Sequence, residues 1–264
     1  MGDVGICLAT LLRDPMTAGP DDLMLAAEAI AAAGVTEISV WAHQLGMLGD
    51  LGRWGLRASA IEATVSWASG PSAAARAEAE AMSAAGAAAG ATRLVTVCLE
   101  PTLDLGAARE GLAMVVEVAS TAGLQACVEF LPWSGIPDLA TAWRLVEPLG
   151  PGAGILLDTW HWQRQPGGPA ADLLAAIPGE RIGYVQLCDA APGDGRSMDE
   201  AMSGRLLPGA GVVDFPALAA LLRRIGADPV VATEVFNPAL LAERGVAATA
   251  EAFASTGRAA LVSA

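Results

Sequence analysis

The chain has 264 residues, of which 53% are hydrophobic and 17% charged, and it carries a formal net charge of −14 with a pI near 4.4. That length suits one domain, spanning 1–264, with a large buried core, and the acidic balance disfavours nucleic-acid and anionic-membrane partners, whose phosphates recruit Lys and Arg. All fifteen basic residues are arginine, which excludes Schiff-base aldolase chemistry and covalently held pyridoxal phosphate, since both need a lysine amine.

The start, Met1-Gly2-Asp3, is acidic and lacks the basic segment and small-residue cleavage site of a secretory signal, so a cytoplasmic location is expected. An apolar run at 4–8 predicts the first strand. A helix over 20–33, a strand at 37–41 and a short helix after Ala42 follow, then a strand at 56–62 and a helix over 72–89. Further strands are expected at 94–99, 125–130, 154–158, 182–187 and 230–235. The intervening helices are expected at 105–122, 138–149, 169–176 and 215–225, with a last one over 238–254. Gly34, Gly90, Gly123 and Gly226 each stand between a helix and the next strand, where a C-cap glycine and a tight αβ loop belong. The longest loop is expected from Asp189 to Val212. The apolar stretches are interrupted by Glu28, Arg76 or Glu117, so no run of about 20 apolar residues can cross a bilayer.

Runs such as Val4-Gly5-Ile6-Cys7-Leu8 are apolar on both faces, as parallel strands covered by helices require. Eight βα units in one domain of this length predict an α/β fold, a (β/α)8 barrel. No G-x-G-x-x-G follows the first strand, so a dinucleotide site has no support. Cys7, Cys98, Cys127 and Cys188 lie in apolar runs without C-x-x-C spacing and are expected to be buried thiols.

Active sites of such barrels gather at the strand C-terminal ends. There the last four strands each place one oxygen-bearing side chain, namely Glu129, Asp158, Gln186 and Glu234. Carboxylates flanked by apolar residues need a partner, and no Lys or Arg lies in those strands to supply it. A hard divalent cation is the natural counter-charge for such an oxygen set. His161, three residues after Asp158, is a candidate ligand, proton shuttle or hydrogen-bond donor. His43 shares its loop position after a strand, with less support. Trp41, Trp67, Trp133, Trp160 and Trp162 all follow strand ends and are expected to line the mouth of a small-molecule pocket.

Glu129, the Asp158-x-x-His161 pattern, Gln186 within Val185-Gln186-Leu187-Cys188-Asp189, the Arg205-Leu206-Leu207-Pro208-Gly209-Ala210-Gly211 stretch and Glu234 together resemble the xylose-isomerase-like TIM-barrel superfamily. That superfamily includes sugar isomerases, ketose 3-epimerases, inosose dehydratases and 3-dehydroshikimate dehydratases. The resemblance implies one divalent ion, Mn²⁺ foremost, with Mg²⁺, Co²⁺ or Zn²⁺ as alternatives, held by Glu129, Asp158, Gln186 and Glu234. It implies Glu129 and Glu234 as proton-transfer groups and His161 and Arg205 as contacts to substrate oxygens, with Trp67, Trp133 and Trp160 as substrate-binding aromatics. Relatives are often dimers or tetramers, so a homodimer or homotetramer is the expected form.

Most relatives carry histidine in place of Gln186. Glutamine is typical of a bacterial 3-dehydroshikimate dehydratase branch that shares the arginine before Pro-Gly. That branch has a serine where Ala201 stands, and an arginine after the third strand, where this chain has Val65, Ser66 and Trp67. A carboxylate-bearing substrate therefore lacks those anchors. The resulting expectation is a metal-dependent isomerase or epimerase of a sugar or sugar-like α-hydroxy ketone. The alternatives are a dehydratase sharing the same first proton abstraction and a non-catalytic metal-binding barrel subunit.

Overall fold

Each of the eight apolar runs forms a strand: β1 (Val4–Cys7), β2 (Glu37–Trp41), β3 (Arg57–Thr64), β4 (Arg93–Val97), β5 (Gln125–Glu129), β6 (Ala153–Asp158), β7 (Ile182–Leu187) and β8 (Val230–Thr233). All pair in parallel with their sequence neighbours, and β8 closes on β1 to complete a barrel. The structure is a computed structural model that describes residues 3–262, so the acidic start at Met1 and Gly2 lies outside the described residues. Strand side chains alternate between two environments. Outward residues such as Ile6, Ile38, Ile61 and Leu94 join the layer packed under the helices. Inward residues such as Val95, Cys127, Leu156 and Tyr184 fill the barrel.

The helices α1 (Pro20–Ala32), α2 (Ala42–Leu48), α3 (Ala73–Ala88), α4 (Leu105–Thr121), α5 (Leu139–Val146), α6 (Thr159–Arg164), α7 (Ala171–Ala176), α8 (Met198–Ser203), α9 (Phe215–Arg224) and α10 (Pro238–Val262) run between and after the strands. Caps account for most of their starts. The side chains of Ser72, Asp104, Asp138 and Asp214 accept backbone N–H groups at the starts of α3, α4, α5 and α9. The four expected C-cap glycines all take positive φ, from 68° to 88°. The four cysteines are free and buried, as expected. No helix among the described residues is long and apolar enough to cross a membrane.

Two helices stand where the sequence predicts none. Helix α6 starts directly at the end of β6, because the Asp158 carboxylate accepts the His161 N–H at 2.9 Å and caps it. Its run of Thr, Trp, His and Trp has weak helix propensity, and the cap outweighs that. Helix α8 lies inside the expected 189–212 loop, capped by Ser197. At six residues it is too short to show a helical period.

The register sets the level of the site. Asp158 pairs with Gln186, and Trp41 with Glu62. Between β6 and β7, Ile155 faces Ile182 while Leu156 faces Tyr184, a bulge at Gly183. The extra residue turns Tyr184 and then Gln186 inward, in step with Leu156 and Asp158.

Helix α4 approaches the loop after β3 so closely that a Cβ on Gly111 would lie 2.0 Å from the Trp67 carbonyl oxygen. Gly111→Ala should therefore lower the unfolding free energy by about 1–3 kcal/mol, as overpacking does, read from the urea midpoint. An unchanged midpoint would mean that α4 can shift outward without loss.

Candidate active site

The strand ends open into a cavity of about 620 Å³ whose floor includes Glu62, Glu129, His161, Arg205 and Glu234. Glu129 and Asp158 are the last residues of β5 and β6, Gln186 is next to last in β7, and Glu234 follows β8 directly. All four are buried, as are Arg205 and His161. Tertiary structure therefore gathers the expected acids, amide, histidine and arginine in one place.

It also adds a partner that the strands do not contain. Arg205, from the loop after β7, donates from Nη1 to Asp158 Oδ2 at 2.6 Å and to Glu234 Oε2 at 2.9 Å. Its Nε donates to the Ala201 carbonyl at 2.7 Å, and its Nη2 lies 3.4 Å from His161 Nε2. The expectation that these acids lack an arginine is thus corrected. The reason is topological, since the guanidinium arrives from a segment 17 residues beyond Cys188 whose position depends on loop folding.

That segment is anchored by Asp189. Its buried carboxylate accepts four backbone N–H groups, those of Ala190 and Val213 at Oδ1 and of Gly209 and Gly211 at Oδ2. Asp189 and Leu206 also exchange backbone hydrogen bonds at 2.8 and 2.9 Å. Arg164, buried behind Trp160, donates to the carbonyls of Ala191 and Gly193 and to Glu200 Oε1, which fixes α8 over the same side. Charge-assisted bonds of this kind are the strong ones, so Arg205 is presented on a held loop.

His161 Nε2 lies 3.2 Å from Glu129 Oε1, an ion pair when the imidazole is protonated. Trp133 and Trp160 pack edge-on against its ring, with centroids 5.3 and 5.4 Å away. Of the expected substrate-binding tryptophans, Trp133 lines the cavity, as does Trp41. Trp160 is fully buried and supports His161 from behind. Trp67 is fully buried in the layer under the helices, its Nε1 donating to the Val97 carbonyl at 3.0 Å. Neither Trp67 nor Trp160 lines the cavity, because the chain turns back over the barrel shoulder after β3 and into α6 after β6. His43 reaches the cavity mouth, with Nε2 3.4 Å from the Pro15 carbonyl.

Glu62 on β3 is a floor residue that the strand-end reading of the later strands does not reach. It is buried and accepts from Gln186 Nε2 at 3.2 Å, while the same nitrogen donates to Glu234 Oε1 at 2.7 Å. The signal is present in the sequence, since Glu62 ends the expected third strand between Ile61 and Ala63, the same setting as the acids and amide of the later strands.

Of the four buried carboxylates, Asp158 and Glu234 share the Arg205 guanidinium. Burial pushes the Glu62 carboxyl up to about 7, and the charge of Glu129 adds to the rise. Burial, with the charge of Glu62, pushes Glu234 well above the usual range, although Arg205 pulls it back. Asp158 differs. Burial opposes its ionisation, but Arg205, His161 and two backbone N–H groups outweigh burial and hold it below the usual range. Burial likewise opposes the charge on Arg205, and Asp158 and Glu234 overcome it.

The residues fit a hard divalent cation. Gln186 Oε1 is buried without a hydrogen-bond partner, an acceptor lacking a donor amid surplus negative charge. Ligand atoms of Glu129, Asp158 and His161 lie within 4.8 Å of one another, as do those of Cys7, Glu62 and Glu234.

A family model described as a xylose isomerase-like TIM barrel matches residues 10–255. The chain belongs to that family. Among curated relatives, a 3-dehydroshikimate dehydratase of Pseudomonas putida is 30% identical over 152 residues, covering 55% of this chain and 24% of the relative. This chain thus matches about a quarter of the length of that larger family relative. Among solved structures, the IOLI protein with a bound zinc atom has a TM-score of 0.81 at 18% identity, covering 98% of each chain. D-allulose 3-epimerase from Methylomonas sp., in complex with D-allulose, has a TM-score of 0.73 at 17% identity, covering 97% of this chain and 95% of that one. At these identities the two structures share the family fold.

In metal-free protein, the raised Glu62 carboxyl stabilises the fold fully below its unfolded value near 4.5, and that contribution is lost as pH rises through about 7. The loss is about 3 kcal/mol, because each pH unit between those two values is worth roughly 1.4 kcal/mol. Urea unfolding after chelation should show stability falling from pH 5 to pH 8. Glu62→Gln should flatten the fall; an equally steep variant would place the slope on other groups.

Proposed function

We propose that this protein is a divalent-metal-dependent isomerase or epimerase acting on a sugar or sugar-like α-hydroxy ketone. The observation that carries the proposal is the cavity floor, where Glu129, Glu234, Arg205 and His161 meet, with Asp158 and the partnerless oxygen of Gln186 buried directly behind them. Held by Glu129, Asp158, Gln186 and Glu234, a divalent cation would supply Lewis-acid polarisation of the ketone.

The chain's own residues do the rest. Glu129 and Glu234 stand on β5 and after β8, far apart around the barrel, so they can address a substrate carbon from two sides. One carboxylate takes the α-proton and the other returns a proton to the opposite face or the neighbouring carbon. In the metal-free protein burial and the neighbouring Glu62 raise the Glu234 carboxyl, so Glu129 and Glu234 differ in surroundings as well as in position. His161 Nε2 stands 3.2 Å from Glu129 Oε1 and brings an imidazole to the same spot. Arg205 Nη2, on the His161 side, bonds no carboxylate, and its hydrogen not directed at His161 Nε2 can donate to a substrate oxygen as negative charge develops there.

A dehydratase is the second reading, favoured by the match to a 3-dehydroshikimate dehydratase. Loss of a β-hydroxyl after the same proton abstraction gives that outcome. Incubation with a ketose panel in D₂O separates the readings. Label without loss of mass supports an isomerase or epimerase, loss of water supports a lyase, and neither leaves a binding subunit. Metal content should be near one ion per chain and should fall in Asp158→Asn and Glu234→Gln. Undiminished metal in both variants would remove the ligand assignment.

A further inference from the structure

The cavity divides sharply by chemistry. Its charged groups, Glu62, Glu129, His161, Arg205 and Glu234, lie together on the floor and are engaged with one another. Beside them the walls are Val95 and Val97, with Val97 level with Glu129 on the neighbouring strand, and beyond the strands Leu131, Phe236 and the Trp133 ring. Higher still, Met16, Leu99, Met198 and Met202 ring the mouth.

Those four mouth residues are 70%, 51%, 46% and 38% exposed. They make up four of the seven large hydrophobics that stand exposed among the described residues. They come from three separate segments, after β1, after β4 and on α8. Exposed apolar side chains scattered singly need no account, but a convergent group marks a binding surface. Three of the four are methionines, whose flexible thioethers adapt to varied apolar shapes.

A free ketose fits this division poorly. Such a sugar carries hydroxyls along its whole length, and each one buried against an apolar wall loses its water partners without replacement. The floor can satisfy the carbonyl and the hydroxyls beside it. Beyond that, His43 is the one charged or ionisable side chain among the lining residues above the floor. The cavity's 620 Å³ is within the roughly 300–1,000 Å³ that holds drug-sized ligands, so space remains above a head group seated on the floor.

From this division we infer that the substrate is amphiphilic, an α-hydroxy ketone or polyol head joined to an apolar group of about ring size that fills the walls and the methionine mouth. The inference rests on the proposed reaction for the head group and on the cavity alone for the tail. The tail binds by burial of apolar surface, and the floor selects the oxygenated end that reacts.

Three probes with one head test it: hydroxyacetone, 1-hydroxyhexan-2-one and 1-hydroxy-4-phenylbutan-2-one. Their binding to manganese-supplemented protein is measured by calorimetry, and exchange of the α-hydrogen in D₂O is followed separately by NMR. Each buried methylene should tighten binding roughly fourfold, so the hexanone should bind on the order of fiftyfold more tightly than hydroxyacetone. The phenyl probe should bind at least as well. Met202→Gln at the mouth and Val97→Thr in the wall should each shrink the ratio between the phenyl probe and hydroxyacetone. Equal affinities across the series, or no binding by any probe, overturn the inference. So does a ratio untouched by both variants, including the case where Met198→Gln and Met202→Gln instead dissociate an oligomer. Tail-dependent binding without exchange upholds the amphiphilic cavity and counts against the isomerase reading; exchange with flat affinities does the reverse.

Discussion

One guanidinium bridges two of the four carboxylates buried at the barrel mouth. Arg205 donates to Asp158 and Glu234 together, and the loop around it is built to keep that cation in place. Isolated, any of these acids would be costly at such depth. With Arg205 present, Asp158 is held below the usual carboxylate range, while burial raises Glu62 and, despite its bond to Arg205, Glu234. The floor thus holds carboxyl groups of unequal basicity within one small volume, the condition under which acid and base roles separate. The same surplus of negative charge is what makes a divalent cation welcome there.

Keeping Arg205 in place falls to residues with no contact to the cavity. Asp189 gathers four backbone N–H groups of its own loop, and Arg164 ties the preceding stretch and α8 to the back of Trp160. Trp160 in turn buttresses His161, whose Nε2 lies beside Glu129. These groups are therefore continuous: a loop anchor, a cation, an aromatic support and a buried carboxylate form one connected set. The walls above come from a different source. They are inward-facing β4 positions and the segments beyond β3, β5 and β8, which carry apolar side chains up to the mouth.

Much of this was legible in the residues. Alternation of short apolar runs with alanine-rich amphipathic stretches announces eight βα units, because parallel strands sheathed by helices must be apolar on both faces. An acid set between apolar neighbours at a strand end announces a site, and that rule found Glu129, Asp158 and Glu234. Applied evenly, it also reaches Glu62. The tryptophans misled because following a strand end does not fix direction. The chain after β3 folds Trp67 under α4, whereas the chain after β5 leaves Trp133 facing the cavity.

The order of strands, the closure into a barrel and the level at which oxygen atoms collect are consequences of local pattern and pleat, and they could be read from the chain alone. Which charges meet is a different matter. Arg205 reaches Asp158 across 47 residues, and Gln186 reaches Glu62 across 124, distances over which no period or propensity carries information. Only the closed barrel and its anchored loop bring those groups within hydrogen-bonding range, so the balance of buried charge is a property of the tertiary fold.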